Sequence, residues 1–484
     1  MLDINIDIKR MERAREERAR SIVKIHLETY VGRVEDMAGR LLEVVEGSKS
    51  VKAAYKPLRD MVSLEIERAS EGNITAVEYT QKNLSKQEVL VFVGTHWVKV
   101  KMQVWYDFVK DCARRAGLPM EFLEDPEFMT RLFEQSAFRI TRDRELMVPR
   151  NFVWINMQNG TLEIGSGGSL TFREHRREDF FQYVLPYCYD PRARCPGWHA
   201  FLDRVLPEKA VQDLVAEFIA WGFTGNDYKL EKVLILYGGG SNGKSVLTDL
   251  ITATYGESNC SHVELEGLTN DIVQRALTEH KLVNISQENG PNVNYSVLKS
   301  MVSGEPVLVK SLYKDPKLMY TYGKLIASYN TLPRMENTEG FFRRWLLVPF
   351  NVTIGREERD IHLKEKLLKE LPGILNWVLR GLARLIANRD FTESPMCEAA
   401  LEDCKRTSNS ALRFVSECCV EAEDGRLSLK ELFAGYNRFC HEDNVQDRYR
   451  FGKKRFAEQL ESAGYTSDFY GHYKCYKLKF KSEM

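Results

Sequence analysis

The segment Gly238-Gly239-Gly240-Ser241-Asn242-Gly243-Lys244-Ser245 has the spacing G-x-x-x-x-G-K-S, and the chemistry it suits is the holding of a polyphosphate. Glycines let backbone N–H groups curl round phosphate oxygens, and a helix beginning at the lysine adds the positive end of its dipole. Lys244 is then placed to reach the β- and γ-phosphates. Ser245, followed by Val246 in the same first turn, offers a hydroxyl to Mg²⁺. Three more candidates follow in order. Glu288 closes the stretch Val283-Asn284-Ile285-Ser286-Gln287, where a carboxylate would polarise a water and face the metal. Asn330 closes the apolar run Leu325-Ile326-Ala327-Ser328-Tyr329, an amide suited to orienting the attacking water. Arg343 and Arg344 precede the apolar run 346–350, where a guanidinium could be offered to the γ-phosphate of a neighbouring subunit. Arg344 is preferred because it directly adjoins the run.

Those residues need strands and helices to aim them. Val233-Leu234-Ile235-Leu236-Tyr237 reads as a buried strand running into the glycine loop, and residues 246–255 as the helix after it. From 229 to about 350 short apolar strands alternate with helices, the pattern of a nucleotide-binding α/β domain. Upstream, residues 1–80 read as mostly helical. A strand-like stretch follows at 89–100, with Gly94-Thr95-His96-Trp97 as its turn. Helices are expected at 104–116 and 126–135, and a strand pair at 151–164 turning on Asn159-Gly160. Residues 178–185, 211–223 and 361–388 read as helical by period. Helices at 429–440 and 453–463 and a terminal strand pair at 473–480 close the chain.

The chain has 484 residues, 43% hydrophobic and 29% charged, which suits several domains and excludes a disordered tail, a collagen-like fibre and a disulfide miniprotein. Lys+Arg and Asp+Glu both number 69, so any basic surface must be local. The ten cysteines show no C-x-x-C spacing and read as reduced thiols. Cys188, Cys195 and His199 lie close in sequence but lack a fourth ligand and the paired rhythm of a zinc site. The first residues lack a basic start with an apolar run, and no apolar stretch of membrane-spanning length follows. A cytoplasmic protein with no membrane partner is expected.

The motifs together resemble the phage and plasmid primase–helicase family, whose motor belongs to the superfamily 3 helicases of the AAA+ class. The resemblance rests on Gly240-Ser241-Asn242-Gly243-Lys244-Ser245, on Leu298-Lys299 with Ser303-Gly304-Glu305, on Leu312-Tyr313-Lys314, on Tyr329-Asn330 with Leu332-Pro333, and on Arg343-Arg344 with Val348-Pro349-Phe350. It extends upstream through Asn156, Asn159-Gly160, Leu185-Pro186 and Tyr189-Asp190-Pro191, and spans residues 85–375. It implies an ATP- and Mg²⁺-dependent ring, usually a hexamer, that walks on single-stranded DNA. Two departures stand out. Gln287 precedes Glu288 where an acid pair or a lone Glu is general, so Glu288 must polarise the water while Mg²⁺ leans on Ser245 and solvent. Residues 1–80 are too few for a primase domain, so a separate primase or polymerase is the expected partner.

Two apolar runs, 307–313 and 318–322, flank Lys314-Asp315-Pro316-Lys317 and read as a hairpin. The resemblance sets this hairpin in the ring channel, with Lys310, Lys314 and Lys317 gripping phosphates without reading sequence. From Arg448 onward nine Lys/Arg face four acids. A winged helix there would open its recognition helix with Lys453, Lys454 and Arg455. The rival use of that module is protein contact.

The expected architecture is an α/β multidomain chain: a helical region (1–80), a domain preceding the motor (81–225), a P-loop AAA+ motor on a parallel central sheet (226–375), a helical connector (376–415) and a winged helix (416–484). The expected activity is ATP-dependent unwinding of forked or origin duplex DNA by a ring, in replication of a phage, plasmid or other mobile element. A replication initiator ring that ATP only switches, without unwinding, is the alternative. A small-molecule P-loop kinase fits less well, because it has no use for the arginine pair or the lysine-tipped hairpin.

Overall fold

The computed structural model describes the chain except residues 1–16, 18–19, 82–83, 143–152, 166–167, 225–227, 288–289, 291, 311–314, 321, 333–338, 444, 446–449, 471 and 482–484. Its contacts divide it into two units, 1–191 and 192–484. The helices Pro196–Val205 and Lys209–Trp221, upstream of the motor boundary expected at 225/226, lie in the second unit.

In the first unit, the helices Val51–Ser70, Met102–Arg115 and Pro126–Arg139 surround a core that includes Leu58, Val62, Trp105 and Phe128. Asp125 caps the last of these, its Oδ1 accepting from the Glu127 and Phe128 amides at 2.8 and 3.0 Å. A four-stranded sheet carries Ile74–Gln81 in its interior, so the helical reading of 1–80 fails over its last residues. The β-branched Ile74, Thr75 and Val77 suit a pleated surface better than a helix. The expected hairpin forms, but its turn is Gln158-Asn159 rather than Asn159-Gly160, because Gly160 already pairs with Met157 in the ladder. The helix expected at 178–185 does not form. A single 3-10 turn, Arg177–Asp179, ends at Phe180 in the left-handed region with φ 55°. The Phe180 ring stacks on Trp97 at 4.8 Å, and the Tyr183 carbonyl accepts from Asn156 Nδ2 at 2.9 Å. Side-chain and backbone demands from neighbouring strands override the helical period there.

The second unit is built on a five-stranded parallel sheet. Its strands are β1 (Val233–Tyr237), β2 (Cys260–Ser261), β3 (Val283–Ser286), β4 (Lys324–Tyr329) and β5 (Trp345–Pro349), in the order β5-β1-β4-β3-β2. Near-continuous apolar runs such as Val233-Leu234-Ile235-Leu236 are what a sheet covered on both faces requires. Helix α1 (Lys244–Tyr255) follows β1. The segment expected as one helix over 361–388 is two, Leu363–Leu368 and Leu371–Asn388, and Pro372 in the first turn of the second explains the restart. Further on, Cys404 of the helix Pro395–Ser408 packs in the motor core, whereas Ala411 and Phe414 of the helix Ser410–Cys418 pack with Leu432, Tyr436 and Phe456. Packing thus divides at Asn409, ahead of the expected 415/416. The C-terminal module comprises that helix, Leu429–Glu442, Lys453–Ser462 and short antiparallel strands. Among the described residues, no helix is long and apolar enough to cross a membrane.

Candidate functional site

The parallel registers bring the strand ends level. Tyr237 of β1 lies opposite Tyr329 of β4 on one side and Pro349 of β5 on the other. The residues that follow those ends therefore crowd together at the carboxyl edge of the sheet, where ligands bind in open α/β folds. The glycine loop follows β1 and is tied to both neighbours: the Gly238 amide donates to the Tyr329 carbonyl at 3.2 Å, and the Ile354 amide to the Ser241 carbonyl at 2.7 Å. Gly243, the N-cap of α1, has φ 88°, and a Cβ there would lie 2.8 Å from Val205 Cγ1. Only glycine fits that conformation and that spacing. Gly238 is held likewise, since its Cβ would meet the Phe350 carbonyl oxygen at 2.5 Å.

Lys244 is 5% exposed. Its Nζ donates to the Gly238 carbonyl at 2.5 Å and to Asn242 Oδ1 at 3.2 Å, and burial holds the ammonium below the ordinary lysine pKa. Ser245 is exposed beside it in the first turn of α1, with Val246 next. A cavity of about 1180 Å³ opens over the loop. Gly240, Ser241, Asn242, Gly243, Lys244, Ser245 and Val246 line one wall, and Asn330, Gln287 and Arg359 line others. The apolar side chains Phe201, Val205, Ile354 and Ile361 line it too. The volume suits a small-molecule ligand, with polar groups converging at one place and apolar walls elsewhere.

Asn330 directly follows β4, next to the loop strand, and is exposed to the cavity. Gln287 directly follows β3, and its Nε2 donates to Thr248 Oγ1 of α1 at 2.9 Å. Glu288 and Lys314 lie outside the described residues. Arg359 went unread from sequence: its Nη2 donates to Ser241 Oγ at 2.7 Å. It sits in the charged stretch Arg356-Glu357-Glu358-Arg359-Asp360, which reads as a solvated turn, and nothing local marks it.

Arg343 and Arg344 differ sharply. The Arg344 side chain is 15% exposed, and its guanidinium donates to the Gly340 carbonyl (2.6 Å), Ser303 Oγ (3.0 Å) and Glu231 Oε2 (3.1 Å). Arg343 is 65% exposed, with Nη2 4.0 Å from Glu231. Arg344, the residue preferred from sequence for reaching a neighbouring subunit, is thus held by groups of its own chain, and Arg343 is the more exposed of the pair.

The expected hairpin is present as the antiparallel strands Val307–Val309 and Lys317–Met319. Lys317 lies opposite Val309 within the ladder rather than at the tip, and its Nζ bonds Glu279 Oε1 at 2.6 Å. Lys310 is exposed. Lys453, Lys454 and Arg455 are exposed at the start of the helix Lys453–Ser462.

Residues 75–207 match the profile of a family described as "D5 N terminal like", and residues 236–344 that of a family of unknown function (DUF5906). The chain is 22% identical over 304 residues to the protein named "Putative helicase L207/L206" of Acanthamoeba polyphaga mimivirus. That alignment covers 60% of this chain and 28% of the viral protein, so the chain spans well under half of the relative's length. Among solved structures, the A form apo structure of the NrS-1 C terminal region aligns with a TM-score of 0.44 at 11% identity, over 82% of this chain and 84% of that one. An apo structure of the same region, residues 305–718, gives 0.43 at 12%, over 85% and 97%.

Proposed function

We propose that this chain is an ATP-dependent DNA helicase that acts as a ring, a hexamer of identical subunits, in replication of a phage, plasmid or other mobile element. The observation that carries the reading is the convergence of the glycine loop, buried Lys244 and Asn330 on one cavity at the carboxyl edge of a parallel sheet. The likeness to a viral protein named as a helicase and the D5-like match upstream support it.

The triphosphate of ATP lies along the loop and takes over the hydrogen bonds that Lys244 now makes to Gly238 and Asn242. The ammonium then stabilises charge on the transferring phosphoryl group. Ser245, exposed at the start of α1, fits Mg²⁺, with Glu288 the carboxylate assigned to it from sequence; the ion would neutralise charge on the β- and γ-phosphates. Asn330 orients the attacking water and Glu288 polarises it. Arg343, exposed at the amino end of β5, reaches the γ-phosphate of the adjoining subunit. In this reading the motor is of the AAA+ class, superfamily 3. The hairpin around Lys310, Lys314 and Lys317 grips single-stranded DNA in the channel, and the C-terminal module is a winged helix that holds forked or origin duplex through Lys453, Lys454 and Arg455. A separate primase or polymerase supplies synthesis.

The test is Lys244→Ala in a paired assay of ATP hydrolysis and fork unwinding. The variant is expected to keep its fold and lose both activities. Hydrolysis above about a tenth of the unaltered rate would remove the site from the mechanism. Unaltered protein that hydrolyses ATP on DNA without displacing a strand would leave the initiator-ring alternative standing.

A further inference from the structure

The C-terminal module ends in a hairpin whose tip carries rings that its core does not use. The strands Ser467–Tyr470 and Tyr473–Tyr476 pair antiparallel, with Tyr470 opposite Tyr473 and Phe469 opposite Lys474. At the base of this hairpin Tyr476 is 1% exposed and packs among the core residues. At the tip Phe469 is 74%, Tyr473 64% and Tyr470 44% exposed. Alternation along a strand puts the Tyr470/Tyr473 pair on one face and Phe469 with Lys474 on the other, so both faces of the tip present aromatic surface.

The surroundings are cationic. The Arg426 guanidinium lies 4.3 Å from the centre of the Tyr470 ring. Lys477, just past the hairpin, and Lys479, on the next strand Leu478–Phe480, are exposed, Lys479 against Asp424 at 2.5 Å; on the hairpin itself Lys474 meets Glu461. From Arg448 onward nine Lys/Arg outnumber four acids. Aromatic faces interleaved with cations suit one class of occupant, a single strand whose bases are free to stack while its phosphates meet positive charge. Bases within a duplex have no free faces, so this chemistry differs from the phosphate contacts assigned above to the helix Lys453–Ser462.

We propose that Phe469, Tyr470 and Tyr473 form a base-stacking tip that takes unpaired DNA bases beside the duplex held by the same module. The choice of DNA rests on the helicase reading; the stacking does not.

The experiment uses the full chain without nucleotide. A thymidine 20-mer, the same oligomer with abasic sites throughout, and a thymidine oligomer bearing 5-iododeoxyuridine are the probes. Tyr470→Ala with Tyr473→Ala is expected to weaken binding of the thymidine oligomer on the order of tenfold and to leave the abasic oligomer unaffected. Tyr470→Trp with Tyr473→Trp is expected to keep the affinity, which guards against a folding defect in the alanine pair. Irradiation of the iodinated probe should give adducts on the peptide that spans 467–476. Equal loss on both oligomers, no loss on either, or adducts only elsewhere would each overturn the proposal and leave these rings to a protein partner. ATP hydrolysis is measured on the same preparations. Base-dependent binding in a chain that never hydrolyses ATP upholds the tip and sinks the motor, whereas hydrolysis with base-independent binding does the reverse.

Discussion

The Arg344 guanidinium is bound to Gly340, Ser303 and Glu231 within its own subunit, while Arg343 beside it stands 65% exposed. Their substitutions should separate accordingly. Arg344→Ala strips partners from three acceptors and is expected to cost about 1–3 kcal/mol of stability, read as a lower melting temperature. Arg343→Ala should melt like the unaltered chain, hydrolyse ATP poorly, and regain hydrolysis when mixed with Lys244→Ala, because an intact arginine then meets an intact loop across an interface. Normal hydrolysis by Arg343→Ala alone would remove it from that role. Lys244 offers a test by pH. Burial lowers its pKa, so its charge is lost at lower pH than that of an exposed lysine. Triphosphate affinity should accordingly fall early on the alkaline side, and Lys244→Arg, which stays charged, should bind without that fall. The loop residues were legible because their spacing specifies backbone geometry directly. Arg359 was not, because its contact with Ser241 depends on where the chain returns after β5.

At the scale of elements, one distant carboxylate sets the wall of the cavity. Glu370 accepts from the Gly197 and Trp198 amides at 3.0 and 2.9 Å, capping the helix Pro196–Val205, whose Phe201 and Val205 abut Gly243. Glu370→Ala is expected to cost about 1–2 kcal/mol and to weaken nucleotide binding severalfold, checked by melting with and without nucleotide. If the stabilisation by nucleotide is unchanged, the helix is not part of the site. For the hairpin, Lys310→Ala with Lys314→Ala should keep basal hydrolysis and lose stimulation by single-stranded DNA, with a shallower salt dependence of binding. Fork unwinding at the full rate would take the hairpin out of the mechanism. Lys317 is the weaker candidate for phosphate, since Glu279 already answers its charge. Strands with strong apolar runs were readable from period alone. The stretch 178–185 was not, because the stacking of Phe180 on Trp97 and the bond from Asn156 come from strands remote in sequence.

For the molecule as a whole, the division of packing at Asn409 gives a clean place to cut. A chain ending at Ser408 should keep basal ATP hydrolysis and lose most duplex affinity, and the lost part should be the strongly salt-dependent one. Unchanged duplex affinity would assign the module to protein contacts. An alternating α/β architecture was legible from composition and period, but strand order was not, because each apolar run would suit any interior position in a parallel sheet. That order has a consequence for how the protein is made. The ladder neighbours of β1 are β4 and β5, both drawn from residues 324–349. A nascent chain that has emerged only as far as residue 310 holds Val233-Leu234-Ile235-Leu236 with both edges unpaired, a sticky segment awaiting partners still inside the ribosome. Nucleotide can therefore lend no stability until synthesis has passed β5, and a stalled or truncated product is one for chaperones and proteases.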